Sequence, residues 1–242
     1  SAAFNLNGAA TSDFGDNVLL TGNVVIDQDG TGDIQFSGTV DSQTGNNFSL
    51  TVNVASGTAI FSGDIGQDAL GATSQDDGLG ALTVDGLALV GAAGAVDITT
   101  TGAQTFRAGT RVANGGVTLT ATDVTFESTL DSTAGNNSTL IINASGTTAF
   151  QGDVGTSDRL GSITTDAPGR TEVGATVQLD GASLTFNDPV LLTANTVIDE
   201  NGTGNVTFNS TVDSEAGNNF TLSVTTDTGN TVFAAAVGSD AL

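Results

Sequence analysis

Side chains that carry oxygen recur at alternate positions of one short segment, Asp27-Gln28-Asp29-Gly30-Thr31-Gly32-Asp33-Ile34. This spacing, with glycine sixth and an apolar residue eighth, matches the first two-thirds of a calcium-binding loop. A related segment begins at residue 199. The predicted calcium ligands are Asp27, Asp29, Thr31 and Asp33, with Asp199, Asn201, Thr203 and Asn205 in the second copy.

A turn without metal is the alternative interpretation of both segments. The twelfth position holds Gly38 in one copy and Ser210 in the other, where a calcium loop has a glutamate that binds through both oxygens. Helix-forming flanks are also missing, and Asp, Asn and Gly are the usual residues of polar turns. We therefore expect no cofactor, and calcium is the alternative that these residues leave open.

Catalytic groups are scarce in the chain. It contains no His, Cys or Lys, which excludes Ser-His-Asp and Cys-His catalysis, thiolate metal sites and lysine-containing phosphate loops. Asp76 and Asp77 form a carboxylate pair of the kind that cleaves polysaccharides. Neighbours in one strand point to opposite faces, however, and the surrounding residues are typical of a loop. We therefore expect no enzyme.

The charge balance limits the partners. The chain has 27 acidic residues and 4 arginines, a net charge of −23. Because nucleic acids and anionic membranes bind clusters of Lys and Arg, neither is an expected partner. No apolar run approaches the roughly 18 residues that span a bilayer. We expect no membrane insertion in this segment.

Three long segments of the sequence align with one another, at residues 34–70, 124–160 and 206–242. Their shared landmarks are a phenylalanine near the start, an Asp-Ser-x-x-Gly-Asn-Asn stretch, a second phenylalanine and a closing phrase from a glycine to a leucine, which is V-G-x-x-x-x-L in the second copy. The copies are about 90 and then 82 residues apart. We divide the chain into a partial repeat at 1–70, a second at 71–160 and a third at 161–242, joined in one continuous solenoid.

Each repeat consists of short strands. Phe48, Leu50 and Val52 alternate with polar residues, which is the pattern of a strand with one dry and one wet face. Clusters of Gly, Asn, Asp and Ser separate these strands every five to seven residues. No segment repeats apolar residues at helical spacing for three turns, so we expect little or no helix.

A solenoid and a row of antiparallel sandwiches both fit many short strands. We favour the solenoid because the copies join without linkers and the change in spacing is easily absorbed by a loop. The sequence therefore predicts an all-β fold, a right-handed parallel β-helix of about 10–12 coils of roughly 20–25 residues each. Each repeat would span about four coils, with its landmarks stacked in successive coils.

The core and corners of this solenoid follow from the landmarks. The expected core residues are the aligned phenylalanines Phe36, Phe61, Phe126, Phe150, Phe208 and Phe233. Gly45 and its counterparts should form sharp corner turns, because glycine adopts a positive φ at low cost.

Two further patterns are interpreted as structural. The threonines at 99–101, 118, 120 and 122 suggest a threonine ladder, but their spacing is not regular from coil to coil. Several N-x-S/T triplets, among them those at Asn137, Asn143, Asn209 and Asn219, are interpreted as turns.

The segment VTFNSTVDSEAGNNFTLSV, followed by its closing phrase, resembles the repeats of very large bacterial exoproteins of the filamentous-haemagglutinin and autotransporter-passenger type. The resemblance implies an extracellular location at the bacterial cell surface and a non-catalytic structural or adhesive role as a rigid rod or fibre subunit. The predicted partners are neighbouring repeats or copies of the chain stacked end to end, and cell-surface or extracellular polysaccharide is a further candidate. The alternatives are a pectinase-like β-helix enzyme and a polysaccharide-binding module.

Overall fold

The computed structural model describes residues 2–67, 78–113 and 115–238. All of its strand pairs are parallel, and none of the described residues is helical. The strands form a β-solenoid of about ten coils, which confirms the predicted fold class. At about 4.8 Å per coil the rod is about 50 Å long.

Each coil contributes one strand position to each of three parallel sheets, which we call face 1, face 2 and face 3. Strands β7 and β8 bend and run across both face 1 and face 2. Face 1 consists of β1 (Ala2–Leu6), β4 (Val24–Gln28), the first parts of β7 (Leu50–Phe61) and β8 (Leu82–Val90), β10 (Gln104–Phe106), β13 (Val124–Phe126), β16 (Thr147–Phe150), β18 (Arg170–Val173), β21 (Val190–Leu192) and β24 (Val212–Ser214).

The other two faces are built in the same way. Face 2 consists of β2 (Ser12–Phe14), β5 (Ile34–Phe36), the second parts of β7 and β8, β11 (Thr110–Val112), β14 (Leu130–Ser132), β19 (Thr176–Leu179), β22 (Thr196–Glu200) and β25 (Leu222–Thr226). Face 3 consists of β3 (Val18–Leu20), β6 (Val40–Ser42), β9 (Val96–Thr99), β12 (Val117–Ala121), β15 (Thr139–Ala144), β17 (Ser162–Thr165), β20 (Leu184–Phe186), β23 (Val206–Phe208) and β26 (Thr231–Phe233). Single bridging residues continue the ladders where no strand is formed, at Ile65 on face 3 and Val154 on face 2.

Coil length varies because the corners differ. Thr171 pairs with Val190 one coil later, after 19 residues, whereas Leu50 pairs with Leu82, after 32 residues. Within the strands the alternation is regular, as in β12, where Val117 and Leu119 are buried and Thr118 and Thr120 are half-exposed. The inward side chains form one continuous hydrophobic core along the rod.

Phenylalanine rings form one stack on each face. On face 1 the ring of Phe126 lies 5.2 Å from that of Phe106 and 5.7 Å from that of Phe150, nearly parallel to both. The corresponding stack on face 2 is Phe14, Phe36 and Phe61, and that on face 3 is Phe186, Phe208 and Phe233. Each stack joins three successive coils through the core.

Equivalent residues of the three repeats lie on different faces. Phe36 is on face 2 of the second coil, Phe126 on face 1 of the sixth and Phe208 on face 3 of the ninth. One repeat therefore spans eleven strand positions, which is three full coils and two further faces, slightly less than the four coils expected. Equivalent residues of successive repeats consequently lie on neighbouring faces. Within each repeat the two phenylalanine landmarks stack in successive coils, as expected: Phe36 on Phe61, Phe126 on Phe150 and Phe208 on Phe233. Equivalent landmarks of different repeats do not share a face, because one repeat spans eleven strand positions and eleven is not a multiple of three.

The predicted core is confirmed except at one position. Five of the six expected phenylalanines are buried, but Phe233 is 43% exposed. It belongs to the last described strand, so one side of its ring packs on Phe208 and no described coil covers the other side.

Candidate functional site

The two predicted calcium segments lie on different edges of the rod. Asp27 is in β4, and its segment turns the edge between faces 1 and 2. Asp199 is in β22, and its segment turns the edge between faces 2 and 3. This separation follows from the turn of one face per repeat, so the eight predicted ligands are not brought together into one site.

In the first segment, two carboxylates bind donors from the next coil. The side-chain amide of Asn53 donates a hydrogen bond to Asp27 Oδ1 at 2.5 Å. The backbone N–H of Thr58 donates to Asp33 Oδ1 at 2.8 Å. The other two predicted ligands of this copy, Asp29 and Thr31, are exposed. Through these contacts, Asp27 and Asp33 connect their coil to the next one.

The second segment is joined to its neighbours in a similar way. Arg159 forms an ion pair with Asp199, Nη2 to Oδ2 at 2.6 Å, and its Nη1 donates to the Asp199 carbonyl at 3.0 Å. Asn205 Oδ1 accepts the backbone N–H of Asn230 at 2.8 Å. The remaining predicted ligands are exposed: Asn201 and Thr203.

Clusters of acidic side chains are absent from the part of the chain that the structure describes. Within it, no three Asp or Glu residues lie together as a metal site would require. Calcium binding therefore stays a prediction from the sequence. The carboxylate pair Asp76–Asp77 lies outside the described residues. Among the residues described, no helix is long and apolar enough to span a membrane.

A row of polar side chains follows the edge between faces 1 and 2. Asp27, Asn53 and Asp85 occupy paired positions in successive coils. Arg107 follows in the next coil and forms an exposed ion pair with Asp85 at 3.5 Å. We call these four residues the polar edge row. The sequence pattern singled out only Asp27 of the four, because the steps of 26 residues to Asn53 and 32 residues to Asp85 are too uneven to reveal the row.

A shallow groove of about 400 Å³ lies beside the polar edge row. Gly86 lines this groove at the point where β8 turns the edge, and it has a φ of +142°. A Cβ atom at Gly86 would lie 2.5 Å from the carbonyl oxygen of Val54, so a larger residue would clash there. Hydrogen-bond donors and acceptors about 4.8 Å apart along this groove could bind the hydroxyl groups of an extended polysaccharide.

Face 1 also carries a threonine ladder. The outward side chains of Thr51, Thr83, Thr105 and Thr125 occupy paired positions in four successive coils. The threonines suspected from the sequence do not continue in this way, since Thr118 pairs with Ile141. Cross-strand threonine pairs stabilise sheets, which is a sufficient reason for the row.

Asp131, the recurring aspartate in the second repeat, binds the closing phrase of that repeat. Asp131 Oδ1 accepts the backbone N–H groups of Ser157 at 3.0 Å and Asp158 at 3.4 Å, both in the next coil. Asp131 is only 5% exposed, and the equivalent Asp41 and Asp213 are buried to a similar degree. This aspartate is a structural residue that ties the loop of one coil to the strand below it.

The Asp-Ser-x-x-Gly-Asn-Asn stretch forms the same turn in each repeat. The Ser42 hydroxyl accepts the backbone N–H of Phe48 at 2.9 Å, and Ser132 and Ser214 make the equivalent bonds at 3.1 and 3.0 Å. The three glycines have φ values of +76°, +77° and +83°, which confirms the predicted positive φ: Gly45, Gly135 and Gly217. Serine and glycine recur here because the turn requires them.

One carboxyl group is buried in a corner away from these turns. Asp188 is 1% exposed, and its Oδ1 accepts the hydroxyls of Thr165 at 2.9 Å and Thr171 at 2.8 Å. Burial raises the pKa of Asp188 above its ordinary value, the charge of Asp166 raises it further, and the two threonine hydrogen bonds partly oppose this. Burial also raises the pKa of Asp166.

Comparison with known proteins identifies no relative of this chain. No protein-family model, curated protein or solved structure matches this chain. The resemblance to large bacterial exoproteins therefore stays a prediction from the repeat motifs of the sequence.

Proposed function

We propose that this chain is a non-catalytic, rod-forming segment of an extracellular bacterial surface protein. The observation that carries the proposal is that the landmark residues shared by the three repeats connect each coil to the next or shape its turns. Phenylalanines stack through the core, serine and glycine shape the turn, and in the second repeat Asp131 binds the next coil's loop. The repeats have kept the residues that build the rod.

The turn of one face per repeat also supports a structural role. Equivalent residues such as Asp41, Asp131 and Asp213 lie on faces 3, 2 and 1, so no single face collects three copies of one group. A repeated binding or catalytic site would gain from copies aligned on one face. A rod gains from the opposite arrangement, because its surface chemistry is distributed around the axis.

The end coils support the proposed partners, which are neighbouring repeats or further copies of the chain stacked along the axis. Phe4 and Leu19 in the first coil are 50% and 48% exposed, and Phe233 in the last coil is 43% exposed. Stacking another coil on either end would bury these side chains and pair the free backbone groups of the end strands.

The extracellular location is supported by composition and by the likeness to exoproteins. The chain is strongly acidic, with a net charge of −23, and lacks cysteine. Such a composition keeps a repetitive chain soluble, and it needs no disulfides because stacking supplies the stability.

Polysaccharide binding is the second candidate, and the groove beside the polar edge row is the observation that favours it. The alternative of a carbohydrate-active enzyme would use the same groove. Asp85 and Arg107 are exposed there, and their ion pair could open to bind a sugar.

Two measurements on the purified chain separate these functions. We expect no release of reducing ends from pectin or other plant and bacterial polysaccharides, and no retention on those polymers. Asp85→Asn and Arg107→Gln are the matched variants, since both alter the groove and leave the core intact. Hydrolysis that is lost in Asp85→Asn would show that the chain is an enzyme. Retention on a polysaccharide that is lost in both variants would show that it is a binding module.

A further inference from the structure

Each copy of the turn contains the triplet N-x-S/T, directly after the glycine and the first asparagine. The triplets are Asn47-Phe48-Ser49, Asn137-Ser138-Thr139 and Asn219-Phe220-Thr221. The middle residue and the hydroxyl residue both vary between the copies. The pattern that is retained is an asparagine followed two positions later by a hydroxyl, which is the acceptor sequence for N-linked sugars.

The turn itself does not require this hydroxyl. Serine and glycine earlier in the stretch supply the turn's hydrogen bond and its positive φ. Among the contacts of the described residues, the hydroxyls of Ser49, Thr139 and Thr221 form no hydrogen bond. Retention of a hydroxyl without a structural partner points to a role outside the folded chain.

Other N-x-S/T triplets of the chain are not retained. The triplet at Asn143 corresponds to Asn53-Val54-Ala55 in the first repeat, which has no hydroxyl residue. Asn209 corresponds to Glu127 in the second repeat. A chain rich in Asn, Ser and Thr contains such triplets by composition, so retention in all three copies distinguishes the turn from these positions.

The asparagines of the turn are accessible. Asn47, Asn137 and Asn219 are all exposed at corners of the rod. Asn47 Nδ2 donates to the hydroxyl of Thr101 at 2.9 Å, and this bond must open before the amide can react. Asn137 and Asn219 are therefore the better acceptors.

We propose that Asn137, Asn219 and, to a smaller extent, Asn47 are sites of N-glycosylation. The Nδ2 atom of each asparagine would attack the anomeric carbon of a sugar carried on a nucleotide or lipid diphosphate. A C–N bond forms, the bond from the anomeric carbon to the phosphate oxygen breaks, the diphosphate leaves and the amide loses one proton. The hydroxyl two residues later would be bound by the transferase, which accounts for its retention.

The fold gives these sugars a regular arrangement. The turns lie on the edges between faces 3 and 1, 2 and 3, and 1 and 2, as the strands on either side show. Successive sugars would be one third of a turn apart around the rod and about 18 Å apart along it, from a coil spacing of about 4.8 Å. One modification per repeat would thus cover all three edges of the rod with a bulky, solubilising group.

Peptide mass mapping of the protein isolated from the cells that make it tests the proposal. We expect sugar mass on the peptides that carry Asn137 and Asn219, lower occupancy at Asn47, and none at Asn143. Thr139→Val keeps the branched shape of an exposed residue and removes its hydroxyl, so it should abolish modification at Asn137 alone. Thr221→Val should do the same at Asn219.

Thr211→Val is the matched control. It removes the hydroxyl of the triplet Asn209-Ser210-Thr211, and this triplet does not recur in the other repeats. It should leave the sugar content unchanged. Unmodified Asn137 and Asn219 in the native protein would overturn the proposal. Sugar that persists at Asn137 in Thr139→Val would also overturn it, because the attachment would then not depend on the retained triplet.

Discussion

The Asp131 carboxylate accepts the backbone N–H of Ser157, 26 positions later and one coil further along the rod, at 3.0 Å. Asp131→Ala would remove the acceptor of two backbone N–H groups, those of Ser157 and Asp158. We therefore expect the free energy of unfolding to fall by about 1–3 kcal/mol, the range for hydrogen bonds to a charged group. Asp131→Asn keeps one oxygen and should lose less. Urea denaturation measures the effect, with Asp97→Ala at an exposed strand position as the control; equal losses at both positions would contradict the structural role of Asp131.

Phe126 is the middle ring of the stack on face 1 and is fully buried. Phe126→Ala should lower the free energy of unfolding by about 3–5 kcal/mol, because it removes a core ring and leaves a cavity between two others. Phe233→Ala removes a ring that is 43% exposed and should cost clearly less. A thermal midpoint that is unchanged in Phe126→Ala would show that the strand register of face 1 is wrong.

The buried Asp188 predicts an unusual response to pH. Because its folded pKa is raised, the folded state binds more protons than the unfolded chain between the ordinary value of 3.8 and the raised pKa. This site therefore stabilises the fold as the pH decreases through that window, and its buried charge destabilises the fold at neutral pH. Asp188→Asn should be more stable than the wild type at neutral pH, and the difference should shrink on acidification.

Asp97→Asn is the control for this experiment, because it also removes one negative charge but at an exposed position. Chemical denaturation at several pH values compares the two variants. A difference between Asp188→Asn and the wild type that does not change with pH would contradict the raised pKa.

The calcium hypothesis predicts a higher melting temperature in calcium than in chelator. A ligand at 100 times its dissociation constant adds about 2.7 kcal/mol to stability. Asp29→Asn, at an exposed position of the predicted loop, should remove the gain, whereas Asp97→Asn should keep it. An identical melting temperature with millimolar calcium and with chelator would reject calcium as a cofactor.

The strands and the core were predictable from the sequence because alternation reveals which side chains point inward. Phe126 and Phe150 are buried for the reason that the pattern indicated. Alternation does not reveal which face of the coil a strand occupies. The sequence therefore showed that Phe36, Phe126 and Phe208 are equivalent but not that each lies on a different face.

The polar edge row was missed for a related reason. Asp27, Asn53 and Asp85 become neighbours only when coils of different length are stacked, and the intervening corners hide the spacing. The predicted ligands Asp33 and Asp199 had the correct chemistry for calcium, but the structure shows their oxygens in contact with Thr58 and Arg159. A loop motif in the sequence could not anticipate donors supplied by another coil.

Electron microscopy of the protein as cells present it tests the central proposal most directly. Three repeats advance by eleven whole coils, so a continuing array of such repeats should have an axial period of about 53 Å at about 4.8 Å per coil. We predict rods or filaments at the cell surface with this period. Globular particles, or material confined to the cell interior, would contradict the proposal.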